Sequence, residues 1–338
     1  MAVKKLRILA LMHVGLLPPA DATSREENTE WKTEFDVLST LRQIGHEVMP
    51  LGIHDDLGVI RKAIDEWKPH VAFNLLEDFD GVPVFDQNVV SYLELLRIPY
   101  TGCNPRGLML ARDKALSKKI LAYHRIAVPE FAVFPIGRSI RPSKRLTFPL
   151  IVKSLTKEAS EGISQASVVD DADKLAERVK FIHRSLGTDA IVERYIEGRE
   201  LYVGIMGNQR LRVLPVWEML FTNMPPQVRR IATNRVKWSH AYQRKHGITS
   251  DEAKDLPPAV LESIPHLCRR IYRTLSLTGY ARLDFRLGDD GRMYVLEANP
   301  NPQLAHGEDF ADSAERAGLS YGDLLQAIIN MAIARRTA

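Results

Sequence analysis

Two cysteines in 338 residues, Cys103 and Cys268, are too few and too far apart for a disulfide framework or a thiolate metal centre. They point to a reducing compartment and two inert thiols. No apolar run approaches the roughly 20 residues a membrane-spanning helix needs, so no membrane partner is expected. Lys and Arg together number 46 against 42 Asp and Glu, largely interspersed, so there is no general basic footprint for nucleic acid. The one exception is Gln227 to Lys245, with Arg229, Arg230, Arg235, Lys237, Arg244 and Lys245. Repeats and low-complexity tracts are also lacking. What remains is an ordinary soluble composition, long enough for two or three compact units.

Near the N-terminus, Lys4, Lys5 and Arg7 precede the apolar stretch Ile8 to Leu17, and Ala20-Asp21-Ala22 imitates a signal-peptide cleavage site. His13 and Gly15 interrupt that stretch, and the same residues suit the first strand of a parallel sheet, which is the expected reading. Leu6 to Met12 then reads as a strand buried on both faces. Glu30 to Ile44 is an amphipathic helix stopped by Gly45, His46 to Ile53 a strand, Leu57 to Trp67 a helix, His70 to Leu75 a strand and Asp86 to Leu96 a helix. Alternation of this kind implies a parallel sheet with crossover helices.

After a helix over Asp113 to His124 the pattern changes to short strands, Pro129 to Phe134, Phe148 to Lys153 and Ala190 to Tyr195, around a helix over Asp173 to Leu186. A third region has strands from Leu201 through Val216, the basic stretch, helices over Ala259 to Ser276 and Tyr321 to Ala334, and a hairpin between them. The class is therefore α/β with α+β modules. The expected units are residues 1–112, 113–200 and 201–338.

The hairpin runs from Ala281 to Pro300. Strands alternate faces with period two, which places Leu283, Phe285 and Leu287 with Tyr294, Leu296 and Ala298 on one side, and Arg282 and Asp284 with Glu297 and Asn299 on the other. A two-residue turn at Asp290-Gly291 sets Asp284 opposite Glu297 and Arg282 opposite Asn299. Facing carboxylates persist only with something positive between them. A bound cation and the neighbouring arginines of a salt-bridged surface hairpin are equal rivals from spacing alone.

Five segments stand in a telling order along the chain: Asp113-Lys114, Phe148 to Lys153, Glu193 to Glu200, Arg282-Leu283-Asp284 and Glu297-Ala298-Asn299. From about Ile98 onward the chain resembles the ATP-grasp enzymes of the D-alanine-D-alanine ligase type, and the N-terminal region is similar in layout. The resemblance implies an ATP-grasp fold with a Rossmann-like N-terminal domain. It also implies an ADP-forming ligase that activates a carboxylate with ATP and magnesium, or manganese in its place, and passes the acyl group to an amine. Small-molecule carboxylate and amine substrates, a cytoplasmic location and a homodimer come with it. Two alternatives stand beside this: a genuine D-alanine-D-alanine ligase of peptidoglycan synthesis, and a nucleotide-binding regulator that has lost the chemistry.

The same resemblance assigns roles. Asp284, Glu297 and Asn299 are expected to hold the metal, Arg282 to stabilise charge on the acyl oxygen, and Lys114 and Lys153 to touch the ATP phosphates. Glu193 is expected to accept from the adenine amino group, the Tyr195-Ile196 backbone to read the ring edge, and Glu200 to hold the ribose. Ser160 and Gly162 belong to the phosphate loop, with Glu158 and Glu161 turned away from it. Lys237 would reach the phosphates from a mobile loop, which recasts the basic stretch as a lid, with Trp238 where a tyrosine is usual.

The substrate end departs from the family. Ser24-Arg25-Glu26-Glu27 stands where a serine and glutamate grip the first ammonium, Asn74 to Gly81 lacks the usual histidine, and Gln303 and Glu308 occupy the approximate places of a glycine and a serine. A carboxylate at Glu308 would repel an acceptor's carboxylate, so an acceptor other than D-alanine, presenting a cationic or neutral group, is expected. The basic lid argues for an anionic substrate, and the sequence does not decide between the two.

Overall fold

The computed structural model describes residues 5–26, 29–141, 146–157 and 160–335. Lys4, Glu27, Glu158 and residues 142–145 lie outside these ranges.

A parallel sheet comes first, from β1 (Arg7–His13), β2 (Glu47–Ile53) and β3 (Val71–Asn74), in the order β2-β1-β3. Helices α1 (Lys32–Gln43), α2 (Gly58–Trp67) and α3 (Asp86–Leu95) connect and follow these strands. The central β1 is covered on both faces, which is why Ile8 to Met12 are apolar without alternation and fully buried.

Next come α4 (Pro105–Arg112) and α5 (Lys114–Tyr123). The α4 helix, not expected from the sequence, carries good start signals: Pro105 at its first position, and the Asn104 side chain accepting from the Gly107 N–H. Asp113 ends α4 and caps α5, accepting from the Ala115 and Leu116 N–H groups. Lys114 is thereby fixed at the mouth of a helix.

The central module is an antiparallel sheet of β4 (Phe131–Phe134), β5 (Leu150–Ser154), β6 (Val168–Val169) and β7 (Ala190–Arg194), ordered β4-β7-β5-β6. One face is covered by α6 (Ala172–Leu186), whose Leu175, Val179 and Ile182 pack against Leu150, Val152 and Val192.

The last sheet is antiparallel in the order β10-β9-β8-β11-β12. Its strands are β8 (Gly198–Met206), β9 (Arg212–Phe221), β10 (Ile248–Glu252), β11 (Tyr280–Gly288) and β12 (Met293–Pro300). The basic stretch between β9 and β10, expected as a loop, contains the short helices α7 (Asn234–Trp238) and α8 (His240–His246). Behind the sheet lies α9 (Pro258–Thr274), and α10 (Asp309–Arg316) and α11 (Tyr321–Ala334) close the chain. Leu201, Val203, Leu283 and Phe285 share one apolar core with Cys268 and Ile271 of α9 and with Leu9 and Leu11 of β1. The first and last sheets are thus set against a common interior.

Both cysteines are buried free thiols, and burial pushes Cys103 up to about 11, in keeping with inert groups. Among the described residues no helix is long and apolar enough to cross a membrane.

Candidate active site

On β11 and β12, Arg282 pairs with Asn299, Leu283 with Ala298 and Asp284 with Glu297, the partners expected from the sequence. The turn behind them differs. The Gly288 N–H donates to the Arg292 carbonyl and the Gly291 N–H to the Gly288 carbonyl, so the loop is Asp289-Asp290-Gly291, with Gly291 at φ 73°, a left-handed position that suits glycine. Leu287 then faces Met293, Arg286 faces Tyr294 and Phe285 faces Val295. Between Phe285 and Asp284 the register slips, leaving Leu296 as the extra residue of a β-bulge.

A longer loop and a bulge cancel, and the expected pairing survives. The faces do not. Met293 and Val295, rather than Tyr294 and Leu296, join Leu283, Phe285 and Leu287 in the core, and Leu296 lines a cleft.

That cleft, with ≈ 660 Å³ of empty space partly open to solvent, lies between the second and third sheets. Lys114, Lys153, Ser160, Glu200, Lys237, Asp284 and Glu297, all expected site residues, line it. Asp284 accepts from Arg282 at 2.8 and 3.0 Å and from the Asn299 side-chain N–H at 2.9 Å. Arg282 also lies 3.6 Å from Asp309 and stacks over the Tyr202 ring at 4.7 Å. Arg282 is therefore a counter-ion of Asp284.

Burial pushes Asp284 above the usual carboxylate range, against the pull of Arg282 and with the help of Glu297. The same burial acts on Glu297, but Lys114, Lys237, Lys153 and Lys118 hold it well below its ordinary value. Asp284, Glu297 and the Asn299 amide oxygen form an all-oxygen donor set, the chemistry magnesium or manganese prefers. A dication there would also offset the burial and the Glu297 repulsion that raise Asp284, so these residues fit the metal.

Lys114 donates to the Lys157 carbonyl at 2.7 Å and lies 3.8 Å from Glu297. Glu193, expected to accept from the adenine amino group, is completely buried and is not among the residues lining the cleft; its carboxylate is held between Lys118 at 3.1 Å and Lys153 at 3.0 Å. Burial would neutralise Glu193, yet the two ammonium groups keep it below the usual range. Burial likewise opposes the charge on Lys153, which Glu193 and Glu297 raise.

Tyr195 packs with Ile151 and Ile231, two residues of the cleft wall, and Ile196 is buried beside it. Glu200 accepts from Arg286 at 2.8 Å and from the Tyr202 hydroxyl at 3.0 Å.

The basic stretch is docked over the loop that carries Ser160 and Gly162. The Ser160 hydroxyl donates to the Ala232 carbonyl at 2.7 Å, and Gln165 bonds both backbone groups of Arg229 at 3.0 and 2.9 Å. Arg286 donates to the Arg230 carbonyl at 3.1 Å. Gly162 has φ 73°, and a Cβ on it would meet Leu186 Cδ1 at 2.6 Å, so the loop needs glycine there. Glu161, expected to turn away, sits on the cleft rim 3.7 Å from Lys157.

Beyond β12, α1 grips the segment after Asn299, where Gln303 and Glu308 are expected at the substrate end. Thr33 accepts from the Gln303 side chain at 3.4 Å, Lys32 pairs with Glu308 at 2.8 Å, and Asp36 accepts from the His306 N–H at 3.0 Å and from Arg25. Glu308 is thus not a bare anion, which removes the repulsion expected of it toward an acceptor carboxylate.

Three residues of this constellation had no assigned role. Arg286 stands two places beyond Asp284 on the same strand face, a signal that period two makes readable. Lys118 lies one helical turn after Lys114 on a buried stripe with Leu121, where a lysine needs a reason. Asp309 carries no such signal, because α10 itself was not expected.

Residues 122–330 match the family model described as D-ala D-ala ligase C-terminus. An uncharacterized protein of Sinorhizobium fredii is 30% identical over 309 residues, 88% of this chain and 86% of its own. A D-alanine-D-alanine ligase of Bordetella petrii is 31% identical over 255 residues, 73% of this chain and 72% of its own. The crystal structure of a D-alanine-D-alanine ligase from Bacillus anthracis complexed with ATP is similar with a TM-score of 0.75 and 25% identity, covering 97% of each chain.

Proposed function

The chain belongs to the D-alanine-D-alanine ligase family and has the ATP-grasp fold; from that premise we propose an ATP- and magnesium-dependent ligase that joins the carboxylate of one small amino-acid-like molecule to the amine of another. One arrangement carries this reading: Asp284 and Glu297 on one wall of the cleft, with Lys114, Lys153 and Lys237 around them. Opposite charges gathered in one cleft suit the handling of polyphosphate and a metal ion at once.

Bound ATP with magnesium supplies the phosphoryl group that makes a carboxylate displaceable by an amine. Asp284, Glu297 and Asn299 would hold the cation, while Lys114, Lys153 and Lys237 supply fixed positive charge for the phosphates. Arg282, already oriented by Asp284 and Tyr202, would bear on the developing oxyanion. The lid segment, tied to the phosphate loop through Ser160 and Gln165, excludes water that would otherwise intercept the activated acyl group.

The relatives' names make D-alanine the first substrate to try. We propose that the acceptor is another amine, because the Gln303 and Glu308 side chains are immobilised by Thr33 and Lys32 where the family offers smaller residues. A cytoplasmic location and a homodimer accompany the reading, the latter measurable by light scattering. ADP release, screened over D- and L-amino acids singly and in pairs with magnesium, tests it. Rapid turnover of D-alanine alone would sink the acceptor assignment, and no amino-acid-dependent release with any pair would sink the ligase.

A further inference from the structure

The Leu296 bulge decides which way Glu297 faces. If the register that pairs Phe285 with Val295 continued without a slip, Asp284 would meet Leu296 and Glu297 would turn to the core side, where Val295 and Ala298 are buried. One inserted residue therefore places the second carboxylate in the cleft. A bulge also leaves a residue without regular pairing, and its carbonyl needs another partner. The Leu296 carbonyl finds it in Lys118, whose ammonium donates to it.

Lys118 is only 1% exposed. Its second partner is Glu193 on β7, 3.1 Å away, and Glu193 in turn holds Lys153 at 3.0 Å. One buried ammonium on α5 thus ties the bulge in the third sheet to the carboxylate that sets a cleft lysine in the second. Burial lowers the pKa of Lys118, while Glu193 works to keep it charged. A lysine interior to this degree costs stability unless its donors are used, and both partners lie next to cleft residues.

We propose that Lys118 is a positioning residue of the cleft, clasping the Leu296 carbonyl and the Glu193 carboxylate so that Glu297 and Lys153 are held where a metal-bound nucleotide is gripped. It touches neither metal nor nucleotide and acts through the bulge and through Glu193. The proposal rests on the ATP and metal reading of the cleft.

The test is calorimetric binding of ADP to the full chain with and without saturating magnesium, whose ratio measures how far the metal tightens the nucleotide. Lys118→Met leaves the Lys153–Glu193 pair balanced one to one, so the fold is expected to persist. Its metal-dependent tightening falls about 10- to 100-fold, as for lost supports of metal ligands, while metal-free ADP affinity changes far less. Lys118→Arg, which keeps charge and donors, restores most of the ratio. If Lys118→Met does not fold, Lys118→Gln, polar but too short to reach the carbonyl, takes its place with the same expected loss.

A folded Met or Gln variant that keeps the ratio overturns the proposal, and so does equal weakening with and without magnesium. Absence of metal-dependent tightening in the unaltered protein overturns the ATP and metal reading itself, and this proposal with it.

Discussion

Asp284 on β11 stands directly across from Glu297 on β12, and one residue nearer the turn the two strands slip out of register. Two carboxylates are thereby brought to one face of a cleft, one stabilised by an arginine and the other by surrounding lysines.

Removing one charge from this pair is expected to disable metal use rather than the fold. Glu297→Gln lowers magnesium-dependent ADP release about a hundredfold, ~3 kcal/mol in the barrier. The thermal midpoint falls only modestly, because half-buried Glu297 gives up its attraction to Lys114, Lys237, Lys153 and Lys118 together with its repulsion of Asp284. Paired rate and melting measurements check both halves.

Glu193 behaves in the opposite way. Its buried carboxylate neutralises Lys118 and Lys153, and Glu193→Gln strands both ammonium groups in the interior. A loss of about 3–5 kcal/mol in urea unfolding is expected. A loss below 1 kcal/mol would show that water reaches these lysines.

Glu34, buried in the first turn of α1, is raised by burial from 4.5 to about 7, its own backbone hydrogen bond opposing and Glu77 adding. An acid whose folded pKa lies above its unfolded value favours the fold while protonated, so this contribution is full below about pH 4.5 and is lost as pH rises through about 7. Glu34→Gln should leave stability unchanged near pH 4.5 and raise it by roughly 1–3 kcal/mol at pH 8. Urea midpoints at the two pH values decide it.

The substrate end gives a change of specificity. Lys32 and Glu308 neutralise one another at 2.8 Å, so Glu308→Ser leaves the Lys32 ammonium to attract an acceptor carboxylate. ADP release with D-alanine as sole substrate should rise about tenfold. An unchanged rate would remove Glu308 from the acceptor site.

Much of this was legible in the sequence, unevenly. The Asp284–Glu297 pairing was foreseen from a turn that does not exist: Asp-Gly signals a tight turn, but a three-residue loop is equally compatible with it, and only the bulge at Leu296 restored the pairing. Bulges have no composition signal, so the faces of Tyr294 and Leu296 were read the wrong way round. The first three strands were clear because β1 is buried on both sides, whereas α10 was hidden behind the acidic run at Glu308-Asp309. The pairing of Glu193 with Lys118 was not legible because Lys118 comes from a helix 75 residues earlier, a distance that periodicity does not bridge.

The chemistry proposed for the cleft is activation of a carboxylate by phosphoryl transfer and passage of the acyl group to an amine. Its most direct test supplies a substrate pair found by the screen, with the donor carboxylate labelled with oxygen-18, together with ATP and magnesium, and analyses the released phosphate by mass spectrometry. One labelled oxygen in each phosphate, matched by one amide bond formed, is the predicted result. Unlabelled phosphate accompanying amide formation would contradict it.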